Sequence, residues 1–245
     1  MLRYKIIVQY DGTAFYGWQT QKSERTIQGE LELALKKIND SRNVRVHGSG
    51  RTDTGVHAIG QVAHFDLKTS LDTFQLKDAL NGNLPPDIRI MKCNEVSKDF
   101  HARFSAIRRH YNYRIRTDGF ILDKSYTWNV DSIDKKILND VATLLIGEND
   151  FTSFSKNNEN LDHRRCIVYE SIWKAENQLL NYNIIANRFL HHMIRYLVGT
   201  MVEISRGKFE MENFIKLLKS PQENVHIFKA PAKGLVLTHV DYEEN

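Results

Sequence analysis

In the opening "RYKIIVQYDG", Tyr4, Ile6, Val8 and Tyr10 fall on one face of an extended segment that ends in Asp-Gly, a strand running into a turn. Ile27, Leu31, Leu35 and Ile38 then recur at helical spacing behind Thr26, a suitable N-cap. Val44 and Val46 predict a further strand that runs into a glycine-rich segment. Residues 61–67 alternate again, 74–80 read as a helix, and Pro85 and Pro86 in "NLPPDIRI" end it and restart an extended segment. The second half repeats this mixture. Ile133, Ile137, Val141 and Leu144 predict a helix; Ile167, Tyr169 and Trp173, then Tyr182, Ile184 and Ala186, predict two strands. A long helix over about 189–204, a shorter one over about 211–218, and a closing strand in "GLVLTHVDY" complete the pattern. Two similarly built α+β halves, residues 1–100 and 101–245, are therefore expected to share one sheet, with 100–117 as the crossover strand.

Composition supports this picture. At 245 residues with 41% hydrophobic content, the chain can bury a sizeable core. No run approaches the roughly 18 apolar residues of a membrane span, and the opening reads as a strand rather than a leader, so no membrane partner and a cytoplasmic location are expected. Two distant cysteines, Cys93 and Cys166, exclude a disulfide framework and a four-cysteine metal site. The formal charge of +4 alone says little. Its distribution says more, because residues 101–117, "HARFSAIRRHYNYRIRT", carry Arg103, Arg108, Arg109, Arg114 and Arg116 and no acid. Basic residues interleaved with aromatics suit a phosphate backbone and stacked bases, although a solvated strand face has the same composition.

The densest candidate chemistry lies in residues 48–58, "GSGRTDTGVHA". Gly48, Gly50 and Gly55 allow positive φ or close backbone approach, so such a loop can present Asp53 to a substrate with little bulk around it. A phosphate cradle does not fit: the Gly-Lys-Ser/Thr ending is missing and the acid would repel a phosphate. A plain turn, with Asp53 capping amides and Arg51 pairing with it, is the alternative reading. His57, His64, His101, His191 and His192 invite a metal, but neither HExxH nor a cysteine-rich spacing accompanies them, and no metal is expected. His191 falls in the apolar arc of its predicted helix, as a packed histidine would. Arg195 sits just beyond that arc's edge, placed to reach the rim of a cleft.

Taken in order, "YDGTAFYGWQTQ", "GSGRTDTGVHAIGQVAHF", "NLPPDI", "FHARFSAIRRHYNYRI", "DFTSF", "NRFLHHMIRYLVGT" and "APAKGLVLTHVDY" resemble the tRNA pseudouridine synthases of the TruA family, from about Tyr4 to Tyr242. The resemblance implies the pseudouridine synthase fold: two ferredoxin-like α/β halves sharing a mostly antiparallel central sheet, with a cleft between them. It implies an isomerase that converts uridine to pseudouridine at positions 38, 39 and 40 of the tRNA anticodon arm, without a cofactor and as a homodimer. Asp53 matches the family's catalytic aspartate, Arg51 its neighbouring arginine, Tyr111 the active-site tyrosine, and Arg195 the basic partner of the aspartate. Leu235 or Leu237 matches the apolar wall, and spacing does not choose between them. Arg103, Arg108 and Arg109 are the expected RNA contacts. His110 and Asn112 depart from a frequently basic pattern, and the segment "SKNNENLDHRRC" is less typical of the family.

A target uridine must leave its stack before a carboxylate can reach it, an extrusion costing on the order of a few kcal/mol. Arg51 is then expected to brace the vacated site while the Tyr111 ring lies against the base. Three roles are open to Asp53: attack at ribose C1′, addition to uracil C6, or abstraction of a ribose proton. The competing function is a non-catalytic RNA-binding protein using the same basic sheet, weakened by the absence of an RRM signature. A metal hydrolase is a third and weaker option.

Overall fold

The computed structural model describes residues 1–156 and 163–243. Residues 157–162, in the less typical segment, lie outside the described residues. The chain divides into two compact units, Met1–Ile107 with Val236–Asn245, and Arg108–Leu235. Both are mixed α+β units whose strands pair mostly antiparallel.

The first unit runs β1 (Leu2–Tyr10), α1 (Ile27–Ile38), β2 (His47–Gly48), β3 (His57–Leu67), α2 (Thr73–Asn83) and β4 (Ile88–Val96), and takes in the last strand, β10 (Leu235–Tyr242). β1 is central, antiparallel to β3 and to β4, with Ile6 opposite Ala63 on one side and Cys93 on the other. Tyr4, Ile6, Val8 and Tyr10 are all buried, as a period-two face over a core requires. Thr26 caps α1, its hydroxyl accepting the Gly29 N–H at 3.3 Å. Asp72 and Gln75 close a capping box on α2. Val44 and Val46 are buried but belong to no strand; the Val46 N–H is taken by the Glu32 carboxylate at 3.0 Å instead of by a ladder. β10 enters parallel to β3, with Val236 opposite His57 and Leu237 opposite Ala58.

The second unit holds β5 (Ala106–Arg116), β6 (Trp128–Asn129), α3 (Lys135–Thr143), β7 (Gly147–Asp150), β8 (Arg165–Glu176), β9 (Leu179–Ala186), α4 (Met193–Ser205) and α5 (Met211–Lys219). β9 lies between β5 and β8, antiparallel to both, with Ile184 opposite Tyr111 and Ser171. The register slips between Val168 and Glu170, a bulge that turns Tyr169 outward while Trp173 stays buried. α4 begins later than its apolar pattern: His192 has φ of +63°, which stops the helix extending back. His191 is therefore exposed in the turn before α4 and not packed within an apolar arc. The "DFTSF" block is structural here, with Phe151 and Phe154 fully buried, Phe154 against Phe214 at 4.8 Å, and the Ser153 hydroxyl donating to the Leu217 carbonyl. Cys93 and Cys166 are free and buried, and burial pushes their thiols up to about 11 and about 12. Neither is a nucleophile at neutral pH. No helix among the described residues is long and apolar enough to cross a membrane.

Candidate active site

Asp53 lies half-buried in the loop joining β2 to β3. A second loop, residues 11–18 after β1, is laced to it: the Trp18 N–H donates to the Thr52 carbonyl at 3.1 Å and the Gly55 N–H to the Phe15 carbonyl at 3.3 Å. The Tyr10 and Thr52 hydroxyls share a buried hydrogen bond of 2.8 Å, and burial holds the Tyr10 phenol well above its ordinary range. Asp53 itself closes a turn, its carbonyl accepting the Val56 N–H at 3.1 Å. Upstream, the Ser49 hydroxyl and Gln61 side chain bond at 2.7 Å, and the Gln61 amide donates to the Gly50 carbonyl at 3.0 Å. The backbone on either side of Asp53 is therefore fixed by hydrogen bonds at Thr52, Gly55 and Val56.

The bracing loop is itself anchored. Arg25 makes two hydrogen bonds to Asp87, of 2.7 and 2.9 Å, and its guanidinium lies 4.1 Å from the centre of the Phe15 ring. The Tyr16 N–H donates to the Arg25 carbonyl, while Gly17 and Trp18 carbonyls accept the Ile27 and Gln28 N–H groups at the start of α1. This explains why "YDGTAFYGW" and "NLPPDI" accompany the aspartate loop in the sequence. Of the loop's own glycines, Gly55 takes φ of +77°. Gly48 makes room for Trp18, since a Cβ there would stand 2.5 Å from the indole. At Gly48 the close approach is to the protein's own tryptophan, whereas a Cβ at Gly50 would meet nothing within 4 Å. Arg51 is exposed beside Asp53.

In the second unit, Tyr111 on β5 is 8% exposed and meets Phe189 edge-on at 5.2 Å. Arg195, in the first turn of α4, donates through Nε to the Ala230 carbonyl at 2.9 Å, and its own carbonyl accepts the Ala230 N–H at 2.9 Å. The Tyr113 hydroxyl donates to the Pro231 carbonyl at 2.7 Å, and its burial raises that phenol far above its usual range despite the opposing charge of Arg195. The "APAKG" segment therefore serves as a clasp that orients Arg195 and Tyr113. Tyr113 and Ala230 escaped sequence reasoning, although the two-residue spacing from Tyr111 puts Tyr113 on the same strand face. Leu235 and Leu237 are both buried; Leu235 opens β10 in the second unit and Leu237 pairs within the first.

The basic stripe is split by strand geometry. Alternation along β5 puts Arg109 on the face of Tyr111, where its guanidinium donates to the Asn187 carbonyl at 2.7 Å. Arg108 points to the opposite face and lies 4.5 Å over the Tyr169 ring. On that same face Asn112 donates to the Asn183 side chain at 2.9 Å. Of the histidines, His57, His64 and His101 each use Nδ1 to accept backbone N–H groups, from Gly12, Ala102 and Arg103 respectively. Such bonds orient rings for packing and leave only Nε2 for a ligand.

A carboxylate on a stiff turn, with an exposed arginine two residues away, has the chemistry of a nucleophile or base toward any substrate that reaches it. A family model described as tRNA pseudouridine synthase matches residues 6–105 and 141–243. The chain belongs to the tRNA pseudouridine synthase family. It is an isomerase that converts uridine to pseudouridine in tRNA. The tRNA pseudouridine synthase A of Geobacillus kaustophilus is 40% identical over 245 residues, covering 99% of this chain and 95% of its own. That of Dictyoglomus thermophilum is 41% identical over 247 residues, covering 99% and 100%.

The split stripe has a measurable consequence. Arg108→Gln is expected to flatten the salt dependence of tRNA affinity by about one phosphate contact and leave the melting temperature unchanged. Arg109→Gln should lower the melting temperature by a few degrees through loss of its bond to Asn187. Binding titrations across a salt series with thermal melts check this, and equal effects of the two variants would contradict it.

Proposed function

We propose that this enzyme isomerises uridines 38, 39 and 40 of the tRNA anticodon arm, with Asp53 as the catalytic carboxylate acting on a flipped nucleotide. The N1–C1′ glycosidic bond breaks with its electron pair going to N1, the uracil turns, C5 bonds to C1′, the C5 proton is lost to a base, and N1 takes up a proton, so the product is isomeric with the substrate. Asp53 serves as nucleophile or base, Tyr111 packs on the uracil, Arg195 keeps the carboxylate ionised, and Arg51 braces the strand the base has left. The observation that carries this reading is Asp53 itself, set on a turn tied at Thr52, Gly55 and Val56, in a chain whose curated relatives are named for this reaction. No cofactor is required, because the product has the atoms of the substrate.

The three neighbouring targets require a pocket reached by different lengths of strand, so recognition rests on backbone and shape rather than on flanking bases. A cytoplasmic homodimer, one subunit holding the tRNA body while the other offers Asp53, completes the proposal. Unmodified tRNA transcripts with a single uridine at 38, 39 or 40, incubated with enzyme with and without chelator and mapped by chemical labelling, test it. Pseudouridine is expected at all three positions, unaffected by chelator, and an isolated anticodon stem-loop should react much more slowly. Reaction at one position only, or a stem-loop as good as full tRNA, would overturn this account of recognition. A chelator-sensitive reaction would favour the metal alternative.

A further inference from the structure

The first unit carries a row of rings that the reaction does not use. His47 on β2 stacks on His64 of β3 at 5.0 Å and 19°; His101 meets His64 edge-on at 4.6 Å; and Phe104 follows His101 at 4.4 Å and 34°. The row begins buried, at His64, and ends at Phe104, which is 77% exposed. The Arg103 guanidinium sits 5.6 Å from the Phe104 ring centre.

The mount is stiff. The Ala102 N–H donates to His64 Nδ1 at 3.1 Å, and burial pushes His64 down to about 4, so the ring is neutral and that nitrogen stays an acceptor at neutral pH. The Tyr242 hydroxyl donates to the Ala102 carbonyl at 2.6 Å. Residues 101–105 close on themselves: the Ser105 N–H donates to the His101 carbonyl and the His101 N–H to the Ser105 hydroxyl, each at 2.9 Å. An exposed phenylalanine held this firmly loses little freedom when something packs on it. Residues 101–109 around it carry Arg103, Arg108 and Arg109 and no acid, which selects a polyanion with π faces over an apolar protein surface.

We propose that Phe104 is a stacking platform for an unpaired base of the RNA substrate, with Arg103 placed for the adjoining phosphate. This rests on the reading of the protein as a tRNA-modifying enzyme and adds a specificity element outside the reacting centre. Stacking depends on an aromatic face, whereas charge does not. Phe104→Ala is therefore expected to weaken binding of an unmodified tRNA transcript about tenfold. The slope of affinity against salt should stay that of the parent, as should the melting temperature and the affinity for a fully paired RNA duplex. Phe104→Trp should restore affinity, with indole fluorescence quenched on adding tRNA, and Phe104→Leu should not. Parent-like tRNA affinity in Phe104→Ala, or full rescue by Phe104→Leu, would overturn the proposal. Pseudouridine formation by the parent enzyme is scored separately, so failure of the reaction assignment is distinguishable from failure of the platform.

Discussion

Asp53→Asn is expected to reduce pseudouridine formation by about 10⁴-fold or more, with tRNA affinity unchanged within about threefold. The amide preserves size and shape, so the loop should not move. Thr52, Gly55 and Val56 are held through backbone bonds to Trp18, Phe15 and Asp53 itself, none of which involves the carboxylate. What the variant lacks is a group able to attack carbon or take up a proton, whichever of the three roles Asp53 plays. Release of tritium from tRNA labelled at uracil C5 measures turnover, because that hydrogen leaves once per isomerisation, and filter binding measures affinity. The pairing of results discriminates between functions. Lost turnover with intact binding is the signature of a catalytic group. A turnover within tenfold of the parent would remove Asp53 from the chemistry.

Local periodicity carried much of the fold. Tyr4 to Tyr10 and Tyr182 to Ala186 are buried on alternate positions as expected of half-buried strands, and Thr26 caps α1. Long-range pairing was less legible. β10 closes the chain yet enters the first unit beside β3, a parallel pairing that no local pattern in "GLVLTHVDY" encodes. Val44 and Val46 alternate because both are buried, but a carboxylate rather than a neighbouring strand takes the Val46 N–H. His191 was misplaced because an apolar arc says nothing about the left-handed residue at 192 that stops the helix. Arg108 and Arg109, grouped by adjacency, fall on opposite faces of β5, which the two-residue period of a strand already required. In the candidate site, Asp53, the residue proposed to carry the chemistry, was singled out from its motif. The parts that hold it, Tyr10 through Trp18 and Asp87, were visible as blocks but not as braces, and Arg25 lay outside every block, since contacts across long stretches of chain leave no periodic trace.

Gly17→Ala is expected to lower the rate of isomerisation by about 100-fold, although Gly17 is far from Asp53 in sequence and contributes no functional group. Two independent features make this position intolerant. Its φ of +83° lies where a Cβ costs roughly 1–2 kcal/mol. A Cβ there would also stand 2.5 Å from the Thr52 carbonyl oxygen, 3.1 Å from the Asp53 carbonyl carbon and 3.2 Å from the Thr54 nitrogen. These are backbone atoms of the Asp53 turn, which cannot rotate away as a side chain could. The chain must shift, and a displacement near 1 Å of a positioned catalytic group is enough for a loss of this size. Gly50 provides the control: it lies inside the aspartate loop, has no neighbour within 4 Å of an added Cβ, and its φ is not in the left-handed range. Gly50→Ala should therefore keep the parental rate within about twofold. Single-turnover rates at saturating enzyme, with melting temperatures to separate displacement from unfolding, should show Gly17→Ala folded, a few degrees less stable, binding tRNA normally and slow in chemistry. Parental rates in Gly17→Ala, or a larger loss in Gly50→Ala, would mean that the loop after β1 does not set the position of Asp53.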